Sequence, residues 1–190
     1  MEDNNYLTTS WQAFVQQIIH NASHGYHYYN YYELAENRRK NLPKIDRTII
    51  DRFDTSKSKD RRYYHKKAGQ ANYIFLRYEL MFIILKTDGR EIDDTRFKDI
   101  RRDPLILRIG SELELKLHRK AGDKGVTVHL SDGCYKNIKY EMLVMLEHRQ
   151  KNNVIYKFNA LNGIPAYSGM YEHKRQLLNE LLKTAKKHNI

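Results

Sequence analysis

The spacing of apolar side chains predicts three amphipathic helices. Near the N-terminus the apolar positions are Trp11, Phe14, Val15, Ile18 and Ile19. They recur every three or four residues, as on a helix with one buried face. Thr9 and Gln12 have the spacing of a capping box, which predicts that this helix starts at Thr9. Similar stripes predict a helix over residues 134–150 and a last helix over residues 171–187.

Runs of β-prone residues predict the strands. Residues 24–34 are rich in tyrosine, which favours a strand. Alternation would place Tyr26, Tyr28, Tyr32 and Leu34 on one face, and His27, Tyr29, Tyr31 and Glu33 on the other. Residues 73–87 are almost continuously apolar, which indicates either a buried strand or a strand preceded by a short helix.

The second half of the chain adds a hairpin and two connecting segments to this pattern. Residues 105–117 and 126–130 are predicted to form the hairpin, because apolar and charged side chains alternate in them. Residues 93–103 are predicted to be irregular or briefly helical, 154–158 a short edge strand, and 162–169 a loop. The order of elements predicts an α+β fold, an antiparallel sheet covered by helices, in a single compact domain over residues 1–190.

Charge is concentrated in one segment of this otherwise ordinary pattern. The chain has 34 Lys and Arg against 23 Asp and Glu, a net charge of +11. Residues 38–67 carry twelve of those cations and four of the acids, a net +8. Within this segment, apolar spacing predicts a helix over residues 44–53 and a helical turn over 60–69. Such an excess favours a polyanionic partner.

Nucleic acid is the polyanion that this segment fits best. Lys and Arg neutralise phosphates and release counterions, and tyrosines can stack on unpaired bases. The predicted contact residues are Arg38, Arg39, Lys40, Lys44, Arg47, Lys57, Lys59, Arg61, Arg62, Tyr63, Tyr64, Lys66 and Lys67. Lys174 and Arg175 of the last helix, with Lys183, Lys186 and Lys187, are predicted to extend the surface. The expected ligand is DNA, with RNA as the alternative, and the protein is expected to be non-enzymatic.

A magnesium-dependent nuclease is the first alternative function. Asp103-Pro104 and, ten residues on, Glu114-Leu115-Lys116 resemble the PD-(D/E)xK arrangement. In such enzymes two carboxylates hold Mg²⁺ and a lysine stabilises the developing charge. A hairpin could bring Asp103 and Glu114 together, so Asp103, Glu114 and Lys116 are the candidate catalytic residues.

A protein-binding adaptor is the second alternative, with the tyrosine strand as its docking face. No cofactor or metal ion is predicted. A strand would place His24 and His27 on opposite faces, and the glycine-rich phosphate-binding loops are absent from the sequence.

Composition also predicts a location. No apolar run approaches the roughly 20 residues that span a bilayer. The first ten residues are acidic and polar, unlike a signal peptide, and the single cysteine, Cys134, cannot form an internal disulfide. A soluble cytoplasmic protein without a membrane partner is expected.

Five stretches also carry a resemblance. They are residues 24–29 (HGYHYY), 45–47 (IDR), 62–72 (RYYHKKAGQAN), 76–78 (LRY) and 163–169 (GIPAYSG). Together they resemble uncharacterised basic proteins encoded on bacterial plasmids and integrative elements. The resemblance implies a bacterial, mobile-element setting and no particular reaction.

Overall fold

The computed structural model describes residues 6–91, 96–119 and 125–189. Helices and antiparallel sheets are both present, which confirms the α+β class. Contacts divide the chain into two compact units, and each is described by itself. Unit 1 is Met1–Pro104 with Arg119–Val126, and unit 2 is Leu105–His118 with Thr127–Ile190. The single domain expected from the sequence stays a prediction.

Unit 1 combines three helices with a four-stranded sheet. Its elements are α1 (Trp11–Ser23), β1 (Tyr28–Glu33), a 3-10 helix (Glu36–Asn41), α2 (Leu42–Phe53), α3 (Lys59–Lys67), β2 (Tyr73–Tyr78), β3 (Met81–Lys86) and β4 (Lys98–Asp99). The strand order is β2-β3-β1-β4, so β1 lies inside the sheet. Helix α1 packs against β2 and β3 with its predicted apolar stripe. Phe53 of α2 joins a second cluster with Tyr73, Phe75, Phe82 and Ile84.

Two boundary predictions in unit 1 need correction. Helix α1 begins at Trp11, because Ser10 and not Thr9 is its N-cap and accepts a hydrogen bond from the Ala13 amide at 3.1 Å. Both alternatives for residues 73–87 are wrong, since the run is a hairpin of β2 and β3 in which Tyr78 pairs with Met81. Its turn has Glu79 at a φ of 48°, without the glycine or asparagine that marks such turns in a sequence. Residues 93–103 lie partly outside the described residues, and a two-residue strand, β4, occupies Lys98–Asp99.

Unit 2 packs three helices with a three-stranded sheet. Its elements are β5 (Leu105–Ile109), β6 (Leu113–Arg119), β7 (Val126–Leu130), α4 (Asp132–Glu147), α5 (Lys151–Ala160), a 3-10 helix (Leu161–Gly163) and α6 (Ser168–Lys187). The strand order is β5-β6-β7. The predicted hairpin is therefore three strands, because residues 105–117 already reverse direction at Gly110, whose φ is 63°.

Two further predictions in unit 2 are wrong. Residues 154–158 are helical and belong to α5, where Val154 and, seven residues on, Leu161 are buried at a helical spacing that the β-prone composition concealed. Ser168 and Gly169 belong to α6 and not to a loop. Among the described helices, none is both long enough and apolar enough to cross a membrane.

Candidate nucleic-acid interface

Helix α3 is stabilised locally, without contributing to a hydrophobic core. The Ser58 side chain accepts a hydrogen bond from the Arg61 amide at 3.3 Å and caps the helix. Asp60 lies in the first turn, while Lys66 and Lys67 lie in the last, an arrangement that complements the helix dipole. None of the nine residues of α3 is buried. Its exposed side chains, which exclude the half-buried Arg62 and His65, are therefore available for contacts outside the fold.

Arg62 anchors α3 to the rest of unit 1. Its Nη2 donates a hydrogen bond to the Thr55 carbonyl at 3.3 Å, and its own carbonyl accepts one from Asn72 Nδ2 at 2.9 Å. Burial raises the pKa of the Tyr26 phenol, and the neighbouring Arg62 opposes that rise. The sequence placed Arg62 among the central phosphate contacts, whereas the structure gives it an inward role.

Tyr63 and Tyr64 are the exposed aromatic residues of α3. Their side chains are 63% and 65% exposed, and their rings meet edge to face with centroids 5.5 Å apart. Lys59, Lys66 and Lys67 on the same helix are exposed too. This arrangement offers ring faces for stacking beside cations for phosphates, the combination that binds single strands.

Six of the predicted basic contacts have no carboxylate partner among the residues that the structure describes. These are Arg38, Lys40, Lys44, Lys59, Lys66 and Lys67. Arg61 is exposed, and its Nη2 lies 3.7 Å from Asp54 Oδ2, a weak contact. Arg47 is exposed on α2.

Two of the predicted contacts are instead paired within the chain. The Lys57 side chain is only 2% exposed, and its Nζ lies 2.8 Å from Asp54 Oδ2. Arg39 Nε donates to Glu36 Oε1 at 2.5 Å on the exposed 3-10 helix. Because Lys57 is buried, the exposed cations of residues 38–67 form two groups. One lies on the 3-10 helix and α2, and the other lies on α3.

The first of these groups surrounds a shallow cleft. The cleft has a volume of about 350 Å³ and lies where the 3-10 helix meets α2. Arg38 and Lys44 line it, together with Asn41 and Thr48. Ile45 and Ile49 complete the lining, so the cleft presents apolar surface as well as two cations and two polar side chains to a ligand.

The predicted extension on α6 belongs to unit 2. Lys174 Nζ donates to Asn162 Oδ1 at 3.1 Å, and partial burial lowers its pKa, which weakens its case as a phosphate contact. Arg175, Lys183, Lys186 and Lys187 are exposed.

The tyrosines of β1 differ in exposure, and Tyr32 is the exposed one at 43%. Tyr29 is 4% exposed, and Tyr28 lies between two cations of the fold. Lys86 Nζ lies 4.6 Å, and Arg101 Cζ 5.3 Å, from the centre of the Tyr28 ring. The protein-binding adaptor stays a prediction.

The nuclease candidates have other partners in the structure. Glu114 is hydrogen-bonded by the Ser131 side chain and by Arg108 Nε at 3.0 Å, and both contacts hold its pKa below the usual range. Lys116 Nζ lies 3.8 Å from Asp132 Oδ2. Asp103 belongs to the other unit. In the part of the chain that the structure describes, no three His, Cys, Asp or Glu side chains are arranged so that they could hold a metal ion together.

One cluster in unit 2 was missed by the sequence reasoning. His118 on β6 stacks on His129 of β7, and His129 contacts His173 of α6 with its ring tilted by 53°; the ring centroids are 4.8 Å apart in both pairs. His118 and His129 are eleven residues apart on consecutive strands, whereas His173 is distant in the sequence, and no motif joins the three.

No known protein family, curated protein or solved structure matches this chain.

Proposed function

We propose that this protein binds nucleic acid, with the exposed side of α3 as its main contact surface. The observation that carries the proposal is that α3 buries none of its residues, yet exposes two adjacent tyrosines among lysines. The exposed tyrosine rings of α3 bury no area against a core and so add no such stability to the fold. We infer that they contact a ligand. Stacking on bases and neutralisation of phosphates account for both residue types at once.

The preferred ligand under this proposal is a single strand. Bases in a duplex are stacked on each other, whereas the faces of Tyr63 and Tyr64 can only accept a base that is unpaired. Arg61, Lys66 and Lys67 would contact the phosphates next to the stacked bases. Arg38 and Lys44, the two cations that line the cleft beside α2, would add affinity that does not depend on the base sequence.

The biological setting is part of the proposal. Of the two nucleic acids, we favour DNA, in the bacterial cytoplasm and on a mobile element, because the resemblance noted in the sequence has that setting. The role would be accessory and non-enzymatic.

The test measures binding of a short labelled single strand to the Tyr63→Ala/Tyr64→Ala double variant. Base stacking contributes about 1–3 kcal/mol per base, so we expect affinity to fall at least about tenfold. The matched control is Tyr156→Ala/Tyr171→Ala, which removes two tyrosines of unit 2 that are at least as exposed and should leave affinity unchanged.

The same assay separates the possible ligands. Strands of DNA and RNA with one sequence, and the corresponding duplex, are compared at increasing salt. Equal affinity of the parent and the α3 variant for every ligand would refute the proposed surface.

A further inference from the structure

Helix α6 approaches β7 unusually closely, and this contact fixes the position of His173. The Gly169 amide donates to Thr127 Oγ1 at 2.9 Å. A Cβ at Gly169 would lie 2.5 Å from the Val128 carbonyl oxygen and 2.6 Å from His129 Nε2, closer than atoms can approach. Only glycine fits there, and His173 follows one helical turn later.

His173 ends a chain of contacting rings. His118 Nε2 and His129 Nδ1 share a hydrogen bond at 2.8 Å, and the His129 ring lies against His173. On its other side His173 contacts the Tyr135 ring, with centroids 4.5 Å apart. His173 Nδ1 is buried and has no hydrogen-bond partner within the described residues. An unpaired buried nitrogen in a native fold calls for an explanation, and a ligand-binding role is one.

The His173 ring lines a cleft with two lysines. The cleft occupies about 470 Å³ along α4, within the range of about 300–1,000 Å³ for small-molecule sites. Lys136 has no carboxylate partner in the described ranges, while Lys139 Nζ lies 3.2 Å from Glu180 Oε2. The one acidic lining residue, Asp132, lies near Lys116. Lys136 is therefore the lining cation whose charge is not offset by a neighbouring carboxylate among the described residues, and an anion could pair with it.

Two tyrosines and a leucine form the rest of the lining. Tyr140 is 70% exposed, and Tyr135 and Leu143 continue the apolar surface along α4. A cleft that combines an accessible ring with two lysines has a place for a planar base and a place for a phosphate.

We propose that this cleft is a nucleotide-binding site, with the phosphate held by Lys136 and Lys139 and the base stacked on Tyr140. The site lies entirely in unit 2 and does not depend on the α3 surface. Its ligand is a nucleoside monophosphate unit, either free or at the end of a strand.

The histidine cluster gives the site a distinctive response to its ligand. Burial, followed by the charge of His129, lowers the pKa of His173, so the empty site holds a neutral imidazole. The other groups facing His173 are Tyr135 and Asp132 on α4, Lys116 on β6 and Glu172 on its own helix. A bound phosphate would favour the charged ring and shift its titration towards higher pH.

The test uses the full chain and adenosine monophosphate, followed by the ring resonances of the histidines and the amide resonances of α4. We expect the nucleotide to move the cleft resonances and to raise the pH midpoint of His173. Lys136→Ala/Tyr140→Ala should weaken binding at least about tenfold. The matched control, Lys151→Ala/Tyr156→Ala on α5, should stay within about twofold of the parent.

Other arms identify what the cleft recognises. Binding of a short strand with a 5′-phosphate tests whether the cleft binds the end of a nucleic-acid strand as well as a free nucleotide. Inorganic phosphate and adenosine, added separately, should each bind more weakly than the nucleotide. Phosphate binding as tightly as the nucleotide would mean an anion site only and would overturn the proposal. So would unmoved cleft resonances, or a control variant as weak as the cleft variant.

A further measurement distinguishes failure of this site from failure of the proposed function of α3. The Tyr63→Ala/Tyr64→Ala variant should bind adenosine monophosphate as the parent does, whether or not α3 binds strands. All four substituted residues of the cleft and control variants are exposed, so unchanged circular dichroism is expected to confirm that each variant folds.

Discussion

Two pairs of adjacent tyrosines in unit 1 have opposite environments. Tyr28 and Tyr29 lie in β1, an inner strand, where Tyr29 is buried and Tyr28 already has Lys86 and Arg101 against its ring. Tyr63 and Tyr64 lie on a helix with no buried residue, and their rings are exposed beside lysines that have no acidic partner among the described residues. Both segments contain adjacent tyrosines, but β1 has no lysine or arginine whereas α3 has five. The two pairs also differ in whether other parts of the fold bury the tyrosine rings and place cations against them.

The comparison separates a structural tyrosine from one that can bind. In β1 the cation–π contacts are internal and stabilise the sheet edge around β4. In α3 the rings are exposed, and under the proposed function they stack on the bases of a ligand. The first set of predictions therefore contrasts stability in β1 with stability in α3.

The largest expected effect is on the free energy of unfolding of Tyr29→Ala. Tyr29 is 4% exposed, and truncating a large buried aromatic costs about 3–5 kcal/mol through lost burial and the cavity that remains. Tyr63→Ala should stay within about 0.5 kcal/mol of the parent, because its ring is in solvent. Urea unfolding of the three proteins measures both. Similar losses in the two variants would remove the contrast between the pairs.

A smaller effect is expected at high pH. Burial, helped by Asp103, raises the pKa of Tyr29 to about 12, from 10.0. The unfolded chain therefore loses this proton first, and stability falls as pH rises through that window, by up to about 2–3 kcal/mol.

The Tyr29→Phe variant isolates this proton. It has no phenol to ionise, so it should lack that part of the alkaline loss. At neutral pH it should be about 1 kcal/mol less stable than the parent, because the hydroxyl donates to the Asp103 or Pro104 carbonyl. Unfolding curves across the pH range measure both terms, and Tyr63→Phe is the matched control. A Tyr29→Phe protein with the parent's alkaline profile would contradict the assignment.

The smallest effect concerns two lysines of the basic segment. Lys66→Ala should reduce the slope of log affinity against log salt for a single strand by about 0.7, since one phosphate contact is lost. Lys57→Ala should leave that slope unchanged and lower stability instead, because Lys57 is buried against Asp54. A salt titration with one labelled strand distinguishes them. A change of slope in Lys57→Ala would show that the buried lysine opens to the ligand.

Local patterns in the sequence predicted most elements. The stripes of α1, α4 and α6 and the tyrosine strand were readable because each depends on spacing within a few residues. The hairpin turn at Glu79 and the helix α5 were misread. At the turn, Glu79 adopts a left-handed backbone conformation that glycine or asparagine usually supplies. Helix α5 contains β-prone residues and is stabilised by its packing against α4.

By itself, the sequence determined the α+β class and the placement of positive charge in residues 38–67, because periodicity and net charge are sums over neighbouring residues. Tertiary structure decided which of those charges face solvent. It turned Lys57 and Arg62 inward, left Lys66 and Lys67 outside, and brought His118, His129 and His173 together from three distant segments. Burial and long-range contact depend on how the elements pack, and no local pattern contains that information.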